Sequence, residues 1–351
     1  MSDEEHPDAA DSSSSSSGSS PPPPTAAAAA SSSTAPPISN TKVLSAIESL
    51  SHIIPTTTLP ASLSACSNPA QALNDQHLST QISSLLCHPG SGAGDNNLCR
   101  WLYDTFQSSD PYLQLVVLRY IPTIAGVYLC RDAKRKPQAG FEAVLLALYA
   151  HETTSRNGQA VTMNVPDLSH PSLYHETKTT SKNNSTCLNL AVVSPSLEPH
   201  GTVRSTRRAR IVGVALELYF SRISHMPNSS KLEFCEFCTI WSGKIDPEDK
   251  KMAHEENEGG SEFRRIHLAW ELIQPMLRIL GHCLLGPNKD KELFEASMRA
   301  CRSLYLRALH DMDAKGILAT ESLLKLGKMS IDEEHEQVDH TEMPNSNVIS
   351  L

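Results

Sequence analysis

The sequence predicts an all-α fold: an elongated, multi-helix scaffold domain flanked by disordered N- and C-terminal tails. Three observations lead there. Apolar residues recur at helical spacing through most of residues 41–328, as in Leu113, Val116, Val117, Tyr120, Ile121 and Ile124. The order of elements contains neither strand–helix alternation nor a repeat of fixed period. The two ends differ from the middle in composition and charge.

Residues 1–40 are low in complexity, with Ser12–Ser17, Pro21–Pro24 and Ala26–Ala30 as runs. Such a segment buries too little surface to offset its chain entropy. The chain has 351 residues and a net charge of −9, from 39 acids and 30 bases. Five acids fall in residues 1–40 and six in residues 329–351, neither of which holds a Lys or Arg, leaving 28 acids against 30 bases for residues 41–328. The acidity therefore belongs to the ends, and the helical body is slightly basic. The expected organisation is a tail at 1–40, a body at 41–328 and an acidic tail at 329–351.

The first clear helix carries Leu98, Trp101, Leu102, Thr105 and Phe106. Asp110-Pro111 opens the next, with Asp as N-cap and Pro at the first helical position. Pro122 should kink that helix and free the carbonyl of Leu118. Phe141–His151 is a further apolar helix. A polar stretch from about 152 to 206 reads as a partly disordered insertion with one ordered island at Val165–Glu176. A helix over Arg208–Met226 carries Gly213, Glu217, Ser221 and Ser224 along one polar face. Ser230–Glu233 matches a capping box that starts the next helix, which ends near Gly243. Glu262–Leu285 contains a second mid-helix proline, Pro275. A long helix runs from Asn288 to about Lys315 with Gly316 as its cap, and a short one over Ile317–Lys328 closes the body.

No stretch reads as a membrane span, because Gln114 and Arg119 interrupt one apolar run and Glu271, Gln274 and Arg278 the other. No signal peptide, myristoylation site or prenylatable cysteine is expected. The nine cysteines, odd in number and scattered through apolar segments, read as buried thiols of a reducing cytosol.

Few motifs carry chemistry. Cys235 and Cys238 have redox or zinc-pair spacing but sit inside a helix without a second close pair, so a thiol or zinc enzyme is the weakest reading. His151-Glu152 lacks the second histidine of a zinc-protease helix, and Gly281–Gly286 lacks the lysine of a phosphate loop. No catalytic constellation and no cofactor site emerges, and none of cofactor, metal or nucleic acid is expected. Two basic clusters are candidates for a membrane-facing surface: Arg131, Lys134, Arg135 and Lys136, and Arg204, Arg207, Arg208 and Arg210. An adaptor that binds anionic lipid through them is one reading of this pattern; a non-catalytic protein scaffold is the other.

Several ordered segments resemble the hyccin family. They are Leu98–Phe106 (with Trp101), Leu118–Thr123 (with Tyr120 and Pro122), Val127–Leu129, Gly140–Tyr149 with Glu152, Pro171–Glu176 (with Tyr174, His175 and Glu176), Ala215–Tyr219 and Phe237–Trp241. The resemblance covers about residues 41–328. It implies a non-catalytic subunit of a plasma-membrane phosphatidylinositol 4-kinase complex. The implied partners are a tetratricopeptide-repeat subunit, the alpha-type lipid kinase and a lipid-anchored helical-repeat recruiter. Contact with the anionic inner leaflet would be indirect or weak, and the chain would reside in the cytosol and at the cytoplasmic face of the plasma membrane. Trp101, Tyr120, Pro122 and Tyr149 are expected to shape the core or an interface, and Tyr174, His175 and Glu176 to order the insertion.

Overall fold

The computed structural model describes residues 40–54, 73–132, 138–166, 188–199, 202–204, 206–243, 265–287 and 290–335. These hold eleven α-helices and one two-stranded antiparallel sheet, and all belong to one unit that starts at Pro37. The helices are α1 (Asn40–Ser51), α2 (Gln76–Cys87), α3 (Asn97–Gln107), α4 (Pro111–Leu118), α5 (Ile121–Asp132), α6 (Ala139–Ser155), α7 (Arg208–Ser221), α8 (Asn228–Ser242), α9 (Trp270–Leu285), α10 (Lys291–Asp311) and α11 (Ala314–His335). The strands β1 (Val161–Pro166) and β2 (Leu188–Ser194) lie between α6 and α7. The all-α class is therefore correct, and the hairpin is an addition to it. Both tails, apart from Asn40, which opens α1, and residues 329–335, and residues 167–176 of the expected ordered island lie outside the described residues; Val165 and Pro166 of that island are strand.

Local chemistry sets most helix starts. The side chains of Asp75, Asn96 and Asp290 each accept from a backbone N–H in the first turn of α2, α3 and α10, and Asp110 accepts from Tyr112 and Leu113 ahead of α4. The kink expected at Pro122 is a full break: α4 and α5 meet at 43°. Pro122 is the second residue of α5, where the missing N–H would have had no intrahelical acceptor. The break is held from outside. Ser230 of α8 donates to the Arg119 carbonyl at 2.5 Å and lies 3.1 Å from the Tyr219 hydroxyl. Ser230 is therefore a buried internal residue of α8 and not its N-cap, because the helix already starts at Asn228.

α5 packs on α2, α7 and α8, while α9 joins α7 to α10 and α11. Two glycines permit close approach. A Cβ on Gly126 would meet the Phe237 ring at 2.3 Å, and one on Gly213 would meet the Glu271 carbonyl at 2.5 Å. Gly213 and Glu217 of the expected polar face thus turn inward onto α9, whereas Ser221 and Ser224 are exposed. The core is aliphatic around a few aromatics, with Tyr120, Tyr128, Tyr149, Tyr219, Phe141, Phe234 and Trp241 fully buried.

α7 ends at Ser221 and not at Met226, and later boundaries also differ from expectation. Residues 265–269 belong to no helix or strand and α9 begins only at Trp270, with Pro275 in its second turn. α10 ends at Asp311 because Met312 adopts a left-handed conformation, φ 55°, so Gly316 lies inside α11 and is not a cap. α11 continues to His335, past the expected boundary at 328. Among the described residues no single helix is long and apolar enough to cross a membrane; the bent α4–α5 pair has the length and composition but is core, from Val116 through Arg131.

Arg131 is the clearest correction to the expected membrane-facing residues. It is 1% exposed. Its Nη1 donates to the Ser91 carbonyl at 2.7 Å and the Ser91 hydroxyl at 3.0 Å, and its Nη2 to the carbonyls of Cys87 and His88 at 2.9 and 2.7 Å. A guanidinium thus adds donors to the carbonyls at and just past the end of α2, and it faces the interior because those acceptors converge there. Arg131→Met should lower unfolding free energy by about 3 kcal/mol. Urea denaturation with an unchanged m value is the check.

Candidate functional site

The feature that stands apart from the helical body is the β1–β2 hairpin. Thr162 lies opposite Val192, Met163 opposite Ala191 and Asn164 opposite Leu190, with an irregularity between Val161 and Thr162 that brings Ser194 opposite Val161. Leu190 and Val192 therefore share one face and Met163 points from the other. All three are exposed, at 69%, 58% and 53%. Neither strand contains a charged residue, and neither has a second strand neighbour among the described residues. Two strands alone are marginal in water, and uncharged edges of this kind are normally protected.

The root of the hairpin is fixed by a buried polar cluster. Ser194 is 2% exposed; its hydroxyl donates to Glu217 Oε2 at 2.5 Å and accepts from Arg156 Nη1 at 2.8 Å. Arg156 also lies 3.7 Å from Glu217 and 3.2 Å from Glu152, and Arg278 Nη2 reaches Glu217 Oε1 at 3.8 Å. Arg278 stacks over Phe220, 5.0 Å from the ring centre. Gln274 of α9 donates to the Val193 carbonyl. The cluster joins α6, α7, α9 and β2 around one carboxylate. Burial lowers the pKa of Arg278, and the Glu217 charge opposes that.

The second expected basic cluster is largely used inside the chain. Arg207 pairs with Glu198, Arg208 lies 3.8 Å from Glu142, and Arg210 donates to the carbonyls of Pro195 and Ser196 at 3.1 and 2.9 Å. Arg204 is exposed. Lys134, Arg135, Lys136, Tyr174, His175 and Glu176 lie outside the described residues. The Tyr149 hydroxyl accepts from the Glu198 N–H at 3.0 Å, so Tyr149, Arg207 and Arg210 meet on the segment that follows β2. Trp101 donates to the Ala46 carbonyl at 2.9 Å and ties α1 to α3; Tyr120 lies at the α4–α5 break under Arg119, 5.7 Å away.

Cys235 and Cys238 are both buried. Burial raises the Cys238 thiol well above its ordinary range and takes Cys301 to about 12, which suppresses the thiolate needed for nucleophilic or metal chemistry. Folding places Cys235 beside Cys283 and within 3.3 Å of the Ser297 hydroxyl. Among the described residues no three His, Cys, Asp or Glu side chains are arranged to hold a metal ion.

The hairpin and the Glu217 cluster are the parts that sequence reasoning missed. The alternation in Val161–Val165 and the apolar run Leu190–Val193, with β-branched Val192 and Val193, are signals the sequence carries. Glu217→Gln should cost about 2 kcal/mol of stability, because Arg278 loses its counter-charge and Arg156 one of its two, both in partly buried positions. Amide exchange in β2 should accelerate more than in α5, which hydrogen exchange with mass spectrometry resolves.

The model of the hyccin family matches residues 64–348, a span that runs from before α2 past the end of α11 and includes the hairpin. The chain belongs to the hyccin family, whose members are non-catalytic regulatory subunits.

Proposed function

We propose that this chain is a scaffold subunit that stabilises a phosphatidylinositol 4-kinase complex and supports phosphatidylinositol 4-phosphate production at the plasma membrane. The observation that carries this reading is family membership over most of the chain. In this reading the partners are a tetratricopeptide-repeat subunit and the alpha-type kinase, and a lipid-anchored helical-repeat protein recruits the assembly from the cytosol to the membrane.

The geometry supports a partner-facing role for the hairpin. Its exposed Leu190, Val192 and Met163 are apolar surface that gains by burial, at about 25 cal/mol per Å². The Glu217 cluster presents them in one fixed pose, which reduces the ordering cost of association. A partner that binds the folded chain alone stabilises it by mass action, and the chain stabilises the partner in return. The adaptor reading, with direct lipid contact, is weakened because Arg131 is internal and Arg207, Arg208 and Arg210 already have acceptors.

Tagged chain expressed in its own cells should co-purify the repeat subunit and the lipid kinase in near-equal amounts. Absence of any lipid kinase from the purified material contradicts the scaffold reading. A chain with Leu190→Ser and Val192→Ser should recover these partners at least about tenfold less, with its melting temperature within about 2 °C of the parent, as expected of exposed positions. Full recovery with that variant would move the interface elsewhere on the body.

A further inference from the structure

A second feature lies away from the hairpin, at the junction of α8, α9 and α10. A cysteine of α8 and a cysteine of α9 meet a serine of α10 there. Cys235 Sγ lies 3.3 Å from Ser297 Oγ, and both side chains hydrogen bond with the Cys283 thiol. Cys235, Ser297 and Cys283 are all buried. The Ser297 hydroxyl is itself fixed by the Leu293 carbonyl at 2.7 Å. The fold thus gives Cys235 a thiol partner on another helix, in addition to Cys238 on its own.

The surroundings make the two thiols unequal. Lys231 is 5% exposed, and its charge acts on Cys283, whereas the charge of Glu236 acts on Cys235. The hydrogen bond from Cys235 holds the Cys283 thiol below its ordinary range against the opposing effect of burial, and Lys231 and Ser297 add to it. The same bond, with burial, raises Cys235. In the same core, burial takes Cys301 to about 12. Cys283 is therefore the thiol of this group that ionises most readily, and Cys235 is the protonated donor beside it.

The pair lies next to a route from solvent. A groove of about 270 Å³ is lined by Cys235 together with Thr239, Ala296 and Arg299. That is several times the roughly 30 Å³ of a water molecule, so a molecule as small as hydrogen peroxide fits.

We infer that Cys235 and Cys283 are an oxidation site, closing under hydrogen peroxide into a reversible disulfide between α8 and α9. The Cys283 thiolate attacks one peroxide oxygen and the O–O bond breaks. The departing hydroxide takes up the proton that the thiol had released, giving water and a sulfenic acid. The Cys235 sulfur then attacks the Cys283 sulfur, the S–O bond breaks, and the Cys235 proton leaves with the hydroxyl as a second water. The two thiols lose two electrons and two protons, and peroxide is reduced to two waters. In a reducing compartment such a bond is transient, because the thiol pool reopens it. The inference is independent of the hairpin and of the kinase-complex reading.

The test is peptide mapping by mass spectrometry of the full chain, treated with hydrogen peroxide at low protein concentration and alkylated without reduction. A linked pair of peptides carrying Cys235 and Cys283 is expected, and dithiothreitol should remove it. Fragment ions separate Cys235 from Cys238. Free Cys283 should disappear at least about tenfold faster than free Cys301. Cys235→Ala should stop the reaction at the Cys283 sulfenic acid, which dimedone traps, and Cys238→Ala should leave the link in place. The parent chain decides the matter even where a variant fails to fold. Full alkylation of both Cys235 and Cys283 after peroxide overturns the inference. So does a Cys235–Cys238 link in place of the Cys283 one, or a Cys235–Cys283 link that forms as fast in urea-unfolded chain as in folded chain.

Discussion

The Glu217 carboxylate sits where α6, α7, α9 and β2 converge, and the pose of the hairpin depends on it. It accepts from Ser194, balances Arg278, and shares Arg156 with Glu152. A buried ionic group is seldom the most stabilising solution for a core. Its advantage here is directional. Apolar packing alone would leave an uncharged two-stranded hairpin free to slide or lie flat, whereas fixed hydrogen bonds to Ser194 and the Val193 carbonyl set its register against the body.

The rest of the fold follows the same division between apolar packing and a few buried polar groups. Leu, Ile, Val and Ala fill the core, and single donors finish helix ends that packing cannot. Arg131 closes α2, and Ser230 closes the break between α4 and α5. These ties join elements distant in sequence, so they rigidify the body on which the hairpin is mounted. For a subunit whose proposed work is to hold other proteins in place, a stiff mount and a projecting apolar element are the physical requirements.

Much of this was legible in the sequence. The helical stripe from Leu113 to Ile124, the Asp110-Pro111 start and the end of α8 at Gly243 rest on local rules, and those rules hold. What failed was decided by contacts between distant residues. Arg131 resembles a surface base until the carbonyls of α2 are placed beside it. The Ser230–Glu233 pattern has the spacing of a capping box, but Ser230 bonds across to Arg119, and the helix starts three residues earlier. Gly316 resembles a cap, but Met312 takes the left-handed position first. The hairpin was masked by the polar composition around it, although its strands alternate as strands do. The cysteine pair was read correctly as buried, but its spatial neighbour Cys283 lies on another helix and left no mark in the spacing.

The hairpin, fixed by the Glu217 cluster, is the surface we propose this chain offers to its assembly. Hydrogen exchange on the amides of Thr162–Val165 and Asn189–Val193, compared between the chain alone and the purified complex, tests it most directly. Exchange should be at least about tenfold slower in the complex, because a partner covers the exposed strands. Equal exchange in the two states, with protection gained on another face of the helical body, would contradict it.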